Sequence, residues 1–360
     1  MKKLSLLTSL FCLFLVLNSQ AVERVYLNGT SVDMGQQWGE KQKNVISALK
    51  GQFNGMALLY LKDDFNQLKK KSLKIAEHMS KEDLDELKGI AKAVNAPYEE
   101  ILTFNLFYTH CVTNLGCRQF ASWGDQTENG ELIHARNLDW IDYPGSPMKK
   151  FNTVVNYKGK EQVEYLLLTW PGFTSALTGT NKEGITIAFN QLPHKGDRTH
   201  ISEPTFYTIK RSLRTARTLE EVIKIFKDTK PMDSGSIMVS DAKRKKAAVI
   251  EVIRGKVGVR YPKSNMIGNA NHATAEAGIA NGVKTGNADY PVCTAAKTIS
   301  GKLSVKNVQN LMMHSNVLQP KLNILSVTFK YSENRMWLSC GKTSAAKGPF
   351  VELKLFSNDE

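Results

Sequence analysis

Residues 114–140 read Asn-Leu-Gly-Cys-Arg-Gln-Phe-Ala-Ser-Trp-Gly-Asp-Gln-Thr-Glu-Asn-Gly-Glu-Leu-Ile-His-Ala-Arg-Asn-Leu-Asp-Trp. Two strand-like runs, Phe120–Trp123 and Glu131–Leu138, flank Glu128-Asn-Gly130, and Asn-Gly tolerates the positive φ angles of a tight hairpin turn. A hairpin folds the second run back on the first. Arg136 and Asp139, at the far end of the second strand, then come near Cys117 at the start of the first. A thiol, a fixed cation and a carboxylate within reach of one another are what an activated nucleophile requires.

On the N-terminal side of this stretch the chain reads as helical. Val25–Leu27 is a short strand candidate, followed by a helical region from about Gln36 to Met79 that starts among Gly35 and Gly39. Leu58, Leu61, Phe65 and Leu68 keep one apolar face among lysines and aspartates, the spacing of an amphipathic helix. Ser80-Lys-Glu-Asp83 resembles a capping box opening a helix with Leu84, Leu87, Ala91 and Val94 inward. Pro97 starts another through Ile101, Phe104 and Phe107.

On the C-terminal side the texture turns to strands: Thr153–Tyr157, Glu164–Trp170 and Gly184–Asn190 are rich in β-branched and aromatic residues. Thr218-Leu-Glu-Glu221 caps a helix with Leu219, Val222, Ile223 and Phe226 on one face. Gly235–Asp241 and Ala247–Ile253 read as a strand pair with Lys243–Lys246 in the exposed turn, extended by Lys256–Arg260. Val305–Met313 is helical, and Ile324–Tyr331 with Arg335–Ser339 forms a last hairpin. Helices that cluster before and between runs of strands predict α+β layers, with helices outside antiparallel sheets. The regular βαβ alternation of a doubly wound sheet is missing.

Met1–Ala21 carries Lys2 and Lys3, an apolar run centred on Leu10–Leu17 and small residues before Val22. That is the pattern of a secretory signal, too short to span a bilayer, so the protein is expected to be exported, periplasmic or secreted. Without the two lysines the formal charge falls from +14 to +12. The positive residues are scattered and no aromatic residues interleave with Lys69–Lys71 or Lys243–Lys246. A nucleic-acid groove is therefore not expected, while the basic balance leaves peripheral attraction to an anionic membrane surface open. Cys111, Cys117, Cys293 and Cys340 follow the signal; an oxidising compartment would permit disulfides in any of three pairings, and no spacing suits zinc. No phosphate loop, dinucleotide fingerprint or Gly-x-Ser-x-Gly elbow is present, and no metal or cofactor is expected.

Gly116 sharpens the case for Cys117. A glycine leaves its carbonyl unshielded, which helps the thiol attack the preceding peptide bond. Cleavage there would leave an α-amino group, with a reference pKa of about 7.7–8.0, to serve as general base for its own thiol. The alternative is a structural cysteine or half a disulfide with Cys111. Arg136 could stabilise a thiolate or hold a substrate carboxylate, and Asp139 could orient the α-ammonium group; the alternative is a structural ion pair on a strand. Asn190, ending a strand, and Asn271, in the loop Gly268-Asn-Ala-Asn-His272, carry amides of the kind that donate to an oxyanion, though loop asparagines commonly form turns. His272 is a weaker pocket residue, as are Arg118 and Trp140.

Gly116-Cys117, Glu128-Asn-Gly130 and His134-Ala-Arg-Asn-Leu-Asp-Trp140 resemble the autoproteolytic penicillin acyltransferase family, the C45 peptidase-like group. This group belongs to the N-terminal nucleophile hydrolases and is related to acid ceramidases, acylethanolamine amidases and bile-salt hydrolases. Trp170-Pro-Gly172, Leu177–Gly184, Asn190, the Arg211–Asp228 helix, Asp241, Glu251 and Ala270-Asn-His272 look like later landmarks in order. The resemblance implies a four-layer αββα sandwich. It implies a helical N-terminal chain, 22–116, and a catalytic chain, 117–360, forming one globular domain after cleavage at Gly116–Cys117. It implies Cys117 as nucleophile, Arg136 and Asp139 as its polar partners, and Asn190 and Asn271 at the oxyanion. Arg118 departs from the small hydroxyl residue usual after the nucleophile, and a late arginine of some relatives has no match near Trp337–Gly341.

The expected activity is hydrolysis of a linear amide, N-acyl or peptide-like, through a thioester, with a small-molecule or lipid-like acyl-amide as substrate. Transfer to an amine acceptor, hydrolysis of lipid esters and an inactive exported binding protein are the rival readings. The oligomeric state stays open.

Overall fold

The computed structural model describes residues 22–56, 65–110, 116–140, 153–192, 200–274 and 290–357. Residues 1–21, where a secretory signal is expected from the sequence, and Cys111 lie outside the described residues.

Two β-sheets face each other. The first has eight strands: β1 (Glu23–Gly29), β4 (Thr153–Gly159), β5 (Tyr165–Thr169), β6 (Thr178–Asn181), β7 (Ile185–Gln191), β8 (Gly235–Asp241), β9 (Lys246–Ile253) and β10 (Lys256–Arg260), in that spatial order. The second has six: β11 (Met266–Asn269), β2 (Cys117–Ser122), β3 (Ile133–Asp139), β12 (Asn323–Lys330), β13 (Arg335–Cys340) and β14 (Val351–Lys354). β2 packs on β7, and β11 on β8 and β9, across the sandwich. Helices α6 (Thr205–Thr215) and α7 (Leu219–Thr229) cover the first sheet, while α8 (Tyr290–Ala296) and α9 (Val305–Met312) cover the second. The four-layer αββα sandwich is thus present. Buried between layers on both sides, strands such as β5 and β8 are apolar or uncharged along most of their length, as sheets covered on both faces require.

The N-terminal third is helical, as its periodicity implies: α1 (Ser31–Met56), α2 (Phe65–Ala76), α3 (Lys81–Val94), α4 (Tyr98–Asn105) and the short α5 (Phe107–His110). Ser80 caps α3 by accepting from the Asp83 amide, and Asn95 closes it in the left-handed region at φ 53°. α1 and α3 touch backbone to backbone. A Cβ on Gly35 would sit 2.0 Å from the Glu86 carbonyl oxygen, and one on Gly89 2.3 Å from that of Val32; only glycine permits this approach.

Three expectations need correction. The β2–β3 connection is wider than the tight Glu128-Asn-Gly130 turn expected: residues 123–132 form a longer loop with a 3₁₀ turn at Gly124–Gln126. Gly130 alone of the Asn-Gly pair has positive φ, at 67°, because the Trp123 amide is drawn away to Asn265 and Glu128 to Leu303. The first sheet is not wholly antiparallel, since β1 lies parallel to β4; the helices between them supply the long crossover a parallel pair needs. The Arg211–Asp228 helix is two helices, separated where Ala216 adopts an extended ψ of 140° and Thr218 caps α7. Cys117, Cys293 and Cys340 are thiols and form no disulfide among the described residues.

Candidate active site

Strand alternation builds the site. On β2, Cys117, Gln119 and Ala121 face the first sheet, while Phe120 joins Ile133 and Ala135 of β3 in the cluster beneath α8 and α9. On β3, His134 and Arg136 face the first sheet, where they meet Ser240 and Thr178. Cys117 pairs with Leu138 and Gln119 with Arg136, so the thiol and the guanidinium are diagonal neighbours on one face.

Arg136 is fully buried. It donates to the Leu177 carbonyl at 2.6 Å and to Thr178 Oγ1, and its Nη2 lies 3.8 Å from Cys117 Sγ. Its Nε has no partner among the described residues. Burial pulls the arginine pKa down, opposed by the charge of Cys117. Burial likewise pushes the Cys117 thiol up, with the Arg136 cation pulling against it; charge and desolvation compete here at full strength.

Asp139 ends β3. Its Oδ1 accepts from Asn323 Nδ2 at 3.2 Å, and its Oδ2 is buried with no partner among the described residues. Burial raises its pKa to about 7, moderated by the Asn323 hydrogen bond and by Arg118 and Arg136. A Cβ built on Gly116 would lie 3.3 Å from that oxygen and 3.2 Å from the Gln319 side chain, so the carboxyl stands beside the Gly116–Cys117 linkage. Asn271 reaches the same linkage: the Cys117 amide donates to its Oδ1, while its Nδ2 donates to the Gln191 carbonyl at 2.8 Å. The loop carrying Asn271 is bracketed by a buried pair. Arg260 donates to the Gly268 carbonyl at 2.8 Å, and Glu251 accepts from the Thr274 amide and hydroxyl at 2.9 and 2.8 Å.

Cys117, Arg136, Asp139 and Asn271 open on a small pocket walled by Tyr108, Leu138, Trp140, Leu177, Phe189, Gln191 and Phe206. Of the residues singled out from sequence, Trp140 is in this wall. Arg118 folds back onto the Cys117 carbonyl at 2.8 Å, and neither it nor His272 lines the cavity. Asn190 faces the inter-sheet side behind the cavity: Gln119 Nε2 donates to its Oδ1 at 2.6 Å, and its Nδ2 is buried without a partner among the described residues. Sequence reading missed Asn323, Tyr108 and the apolar walls. Asn323 carried a signal as the polar start of a strand beside β3; the walls came from segments too far apart to be grouped.

Arranged this way, the residues can polarise a thiol, hold its neighbouring nitrogen and receive an apolar group beside it. Residues 126–342, more than half of the chain, match the family described as acyl-coenzyme A:6-aminopenicillanic acid acyl-transferase. The matched span takes in Arg136, Asp139, Asn190 and Asn271 and begins beyond Cys117. Protein dcd1B of Dictyostelium discoideum is 22% identical over 260 residues, 65% of this chain and 51% of the relative. The N-acylethanolamine-hydrolyzing acid amidase of Caenorhabditis elegans is 26% identical over 205 residues, 52% of this chain and 56% of the relative. The chain thus spans about half the length of these curated relatives. Among solved structures, a Caenorhabditis elegans N-acylethanolamine-hydrolyzing acid amidase ortholog superposes with a TM-score of 0.49 at 17% identity, over 59% of this chain and 92% of the other. Penicillin V acylase from Agrobacterium tumefaciens gives 0.42 at 14%, over 62% and 83%.

Proposed function

The chain belongs to the acyl-coenzyme A:6-aminopenicillanic acid acyl-transferase family, and from that premise we propose that it is an exported, self-activating cysteine hydrolase of linear acyl-amide bonds. The observation that carries this reading is the setting of Cys117. Its nitrogen is held by Asn271, its sulfur faces Arg136 at 3.8 Å, glycine precedes it, and it opens on an apolar cavity.

In this scheme the signal 1–21 is removed on export, and the thiol attacks the Gly116 carbonyl. Hydrolysis of the resulting thioester leaves residues 22–116 and a second chain that starts at Cys117. The new α-amine takes the thiol proton, Arg136 stabilises the thiolate, and Asp139 accepts a hydrogen bond from the ammonium group. Sulfur adds to the substrate carbonyl, the amine leaves with the proton, and water releases the acid. The two asparagines divide the remaining work. Asn271 aims the nitrogen, since its amide is engaged on both sides; Asn190 has an unengaged Nδ2 but does not line the pocket, and its assignment to the oxyanion side rests on its place in the motif order. Acyl-amide chemistry also agrees with the name of the Caenorhabditis elegans relative.

Intact mass and N-terminal sequencing of protein from the exported fraction test the scheme. The expected result is two chains, 22–116 and 117–360. Cys117→Ala is expected to remain one chain and to lose all turnover on an acyl-amide panel; a variant that still cleaves itself at Gly116–Cys117 contradicts the mechanism. A parallel ester panel separates the rival chemistry, because turnover of esters alone would replace the amidase reading.

A further inference from the structure

Strand β12 does not run evenly along β3. Asn323 pairs with Asp139 and Leu325 with Leu138, so two steps along β12 match one along β3, and Ile324 is the extra residue of a β-bulge. A bulge bends its strand and re-aims the side chains beside it. Here it leaves Asn323, fully buried, directly opposite the residue whose carboxyl ends β3.

Two backbone groups fix which way the Asn323 amide points. Its Oδ1 accepts from the Ala346 amide at 2.7 Å, and a backbone N–H only donates, so the oxygen belongs on that side. Its Nδ2 donates to the Leu325 carbonyl at 3.0 Å, which only accepts, and to Asp139 Oδ1 at 3.2 Å. Ala346, itself buried, lies in the 3₁₀ turn Ala345–Lys347, some two hundred residues beyond the β2–β3 hairpin. With Oδ1 engaged, Asp139 keeps Oδ2 buried and without a partner among the described residues, beside the Gly116–Cys117 linkage, where a Cβ on Gly116 would stand 3.3 Å from it. A carboxyl held by one oxygen has its plane set, and the plane decides whether the other oxygen meets the neighbouring nitrogen.

Resting on the amidase reading above, we propose that Asn323 is a positioning residue: set by Ala346 and Leu325, it holds Asp139 by Oδ1 so that Oδ2 is aimed at the Cys117 nitrogen that self-cleavage turns into an amine. Asn323 does not line the pocket, makes and breaks no bond in the reaction, and acts through Asp139. The turn at Ala345–Lys347 thereby takes part in aiming the amine of the nucleophile. The charged and titratable groups that face Asp139 are Arg118 and Cys117 on β2 and Arg136 on β3, and all three stay in place when Asn323 is changed.

The first arm of the test needs no substrate. In the full chain carrying Cys117→Ala, the carboxyl-carbon NMR signal of Asp139 follows its titration. The Asn323 hydrogen bond favours the charged carboxylate, so adding Asn323→Leu, branched alike but without a donor, should move the midpoint upward by about one pH unit, a tenfold change in proton affinity. Asn323→Ser, whose hydroxyl is too short to reach the carboxyl, should move it the same way and serves if the leucine variant does not fold. The second arm uses the matured protein on a panel of acyl-amides. Asn323→Leu should lower kcat by roughly tenfold and leave KM within about twofold, because the group it misaims acts in the reaction and not in substrate binding. Ser240→Ala removes a buried hydrogen bond to His134, 2.8 Å long and made by the same strand β3, and should leave both the Asp139 midpoint and kcat where they are. A midpoint that neither Asn323 variant moves, or one that Ser240→Ala moves as far, overturns the positioning role and leaves the amidase reading standing. If the parent protein turns over no amide, the amidase reading fails, and the Asp139 midpoint by itself decides whether Asn323 holds the carboxyl.

Discussion

Asp83 and Asp139 are both buried aspartates close to arginine, and the protein drives them in opposite directions. Burial alone would raise Asp83, but Arg214 and Lys210 outweigh it and hold its carboxyl below the ordinary range. Arg214 Nη1 lies 2.9 Å from Asp83 Oδ1 and Lys210 Nζ 3.2 Å from the same oxygen; Lys210 also donates to Glu86 and sits over the Tyr157 and Tyr207 rings at 5.5 and 5.9 Å. At Asp139 burial wins, because the nearby guanidinium of Arg136 is turned to Leu177, Thr178 and the thiol, and Asn323 is the hydrogen-bonding side chain that faces the carboxyl. Desolvation is common to both sites; the direction of the cation decides the outcome. The first cluster joins α3 to α6, so it spans the two segments that cleavage at Gly116 would separate. The second leaves donor and acceptor capacity unspent at a cavity wall, where chemistry can use it.

The difference is broken most directly at Lys210. Lys210→Met leaves Asp83 and Glu86 buried together with Arg214 alone. Removing one partner of a buried ionic cluster costs about 3–5 kcal/mol, and urea unfolding should show a loss of that size. Adding Glu86→Gln should recover a large part of it, since Glu86 is the carboxyl whose pKa burial raises even with Lys210 present. A loss below about 1 kcal/mol would mean that the cluster behaves like surface charge and that the contrast with Asp139 is empty.

Asp139→Asn should act with the opposite sign. The folded pKa is raised to about 7 from the ordinary 3.8. The stability this group contributes is therefore fully present below about pH 4 and is lost as pH rises through 7. In a Cys117→Ala background, in which the proposed self-cleavage cannot occur, Asp139→Asn should match its parent near pH 4. At pH 8 it should exceed the parent by on the order of 2–4 kcal/mol. An unfolding curve series from pH 4 to 8 reads this directly. If the chain cleaves at Gly116–Cys117 as proposed, an α-ammonium group beside Asp139 would lower its pKa and flatten the slope, so comparing the two backgrounds tests the assignment of the carboxyl to the nitrogen of Cys117.

Cys117, Arg136 and Asp139 were legible because one hairpin brings them together, and a register between neighbouring strands follows from their alternation. The helices before Gly116 were legible from caps and periodicity. Asn190 was placed at the oxyanion from motif order, yet its face could not be read: β7 is buried on both sides over Ile185–Asn190, so no polar alternation marks which residues look toward the cavity. The start of α6 went unread, and its end was merged with α7, because its inward face carries Lys210 and Arg214, which look like solvent residues until α3 supplies their carboxylates. The aromatic wall of Tyr108, Phe189 and Phe206 joins three segments spread over about a hundred residues, and local pattern carries no information on such meetings.

The smallest expected effect isolates burial from pairing. Lys224 and Asp228 form an ion pair on α7, the helix next to the one that carries Lys210, with side chains 77% and 62% exposed. The chemistry matches Lys210–Glu86, an ammonium on a carboxylate, and the separation is 2.5 Å. Water already solvates both groups there, so little desolvation is incurred and little attraction is gained, and salt screens what remains. Lys224→Ala should shift stability by no more than about 0.5 kcal/mol, and adding 1 M salt should erase the shift. A loss approaching that of Lys210→Met would mean that pairing itself, and not the dry setting between α3 and α6, governs how charge acts in this fold. Asp139 would then have to be understood by its missing partner alone, without its burial.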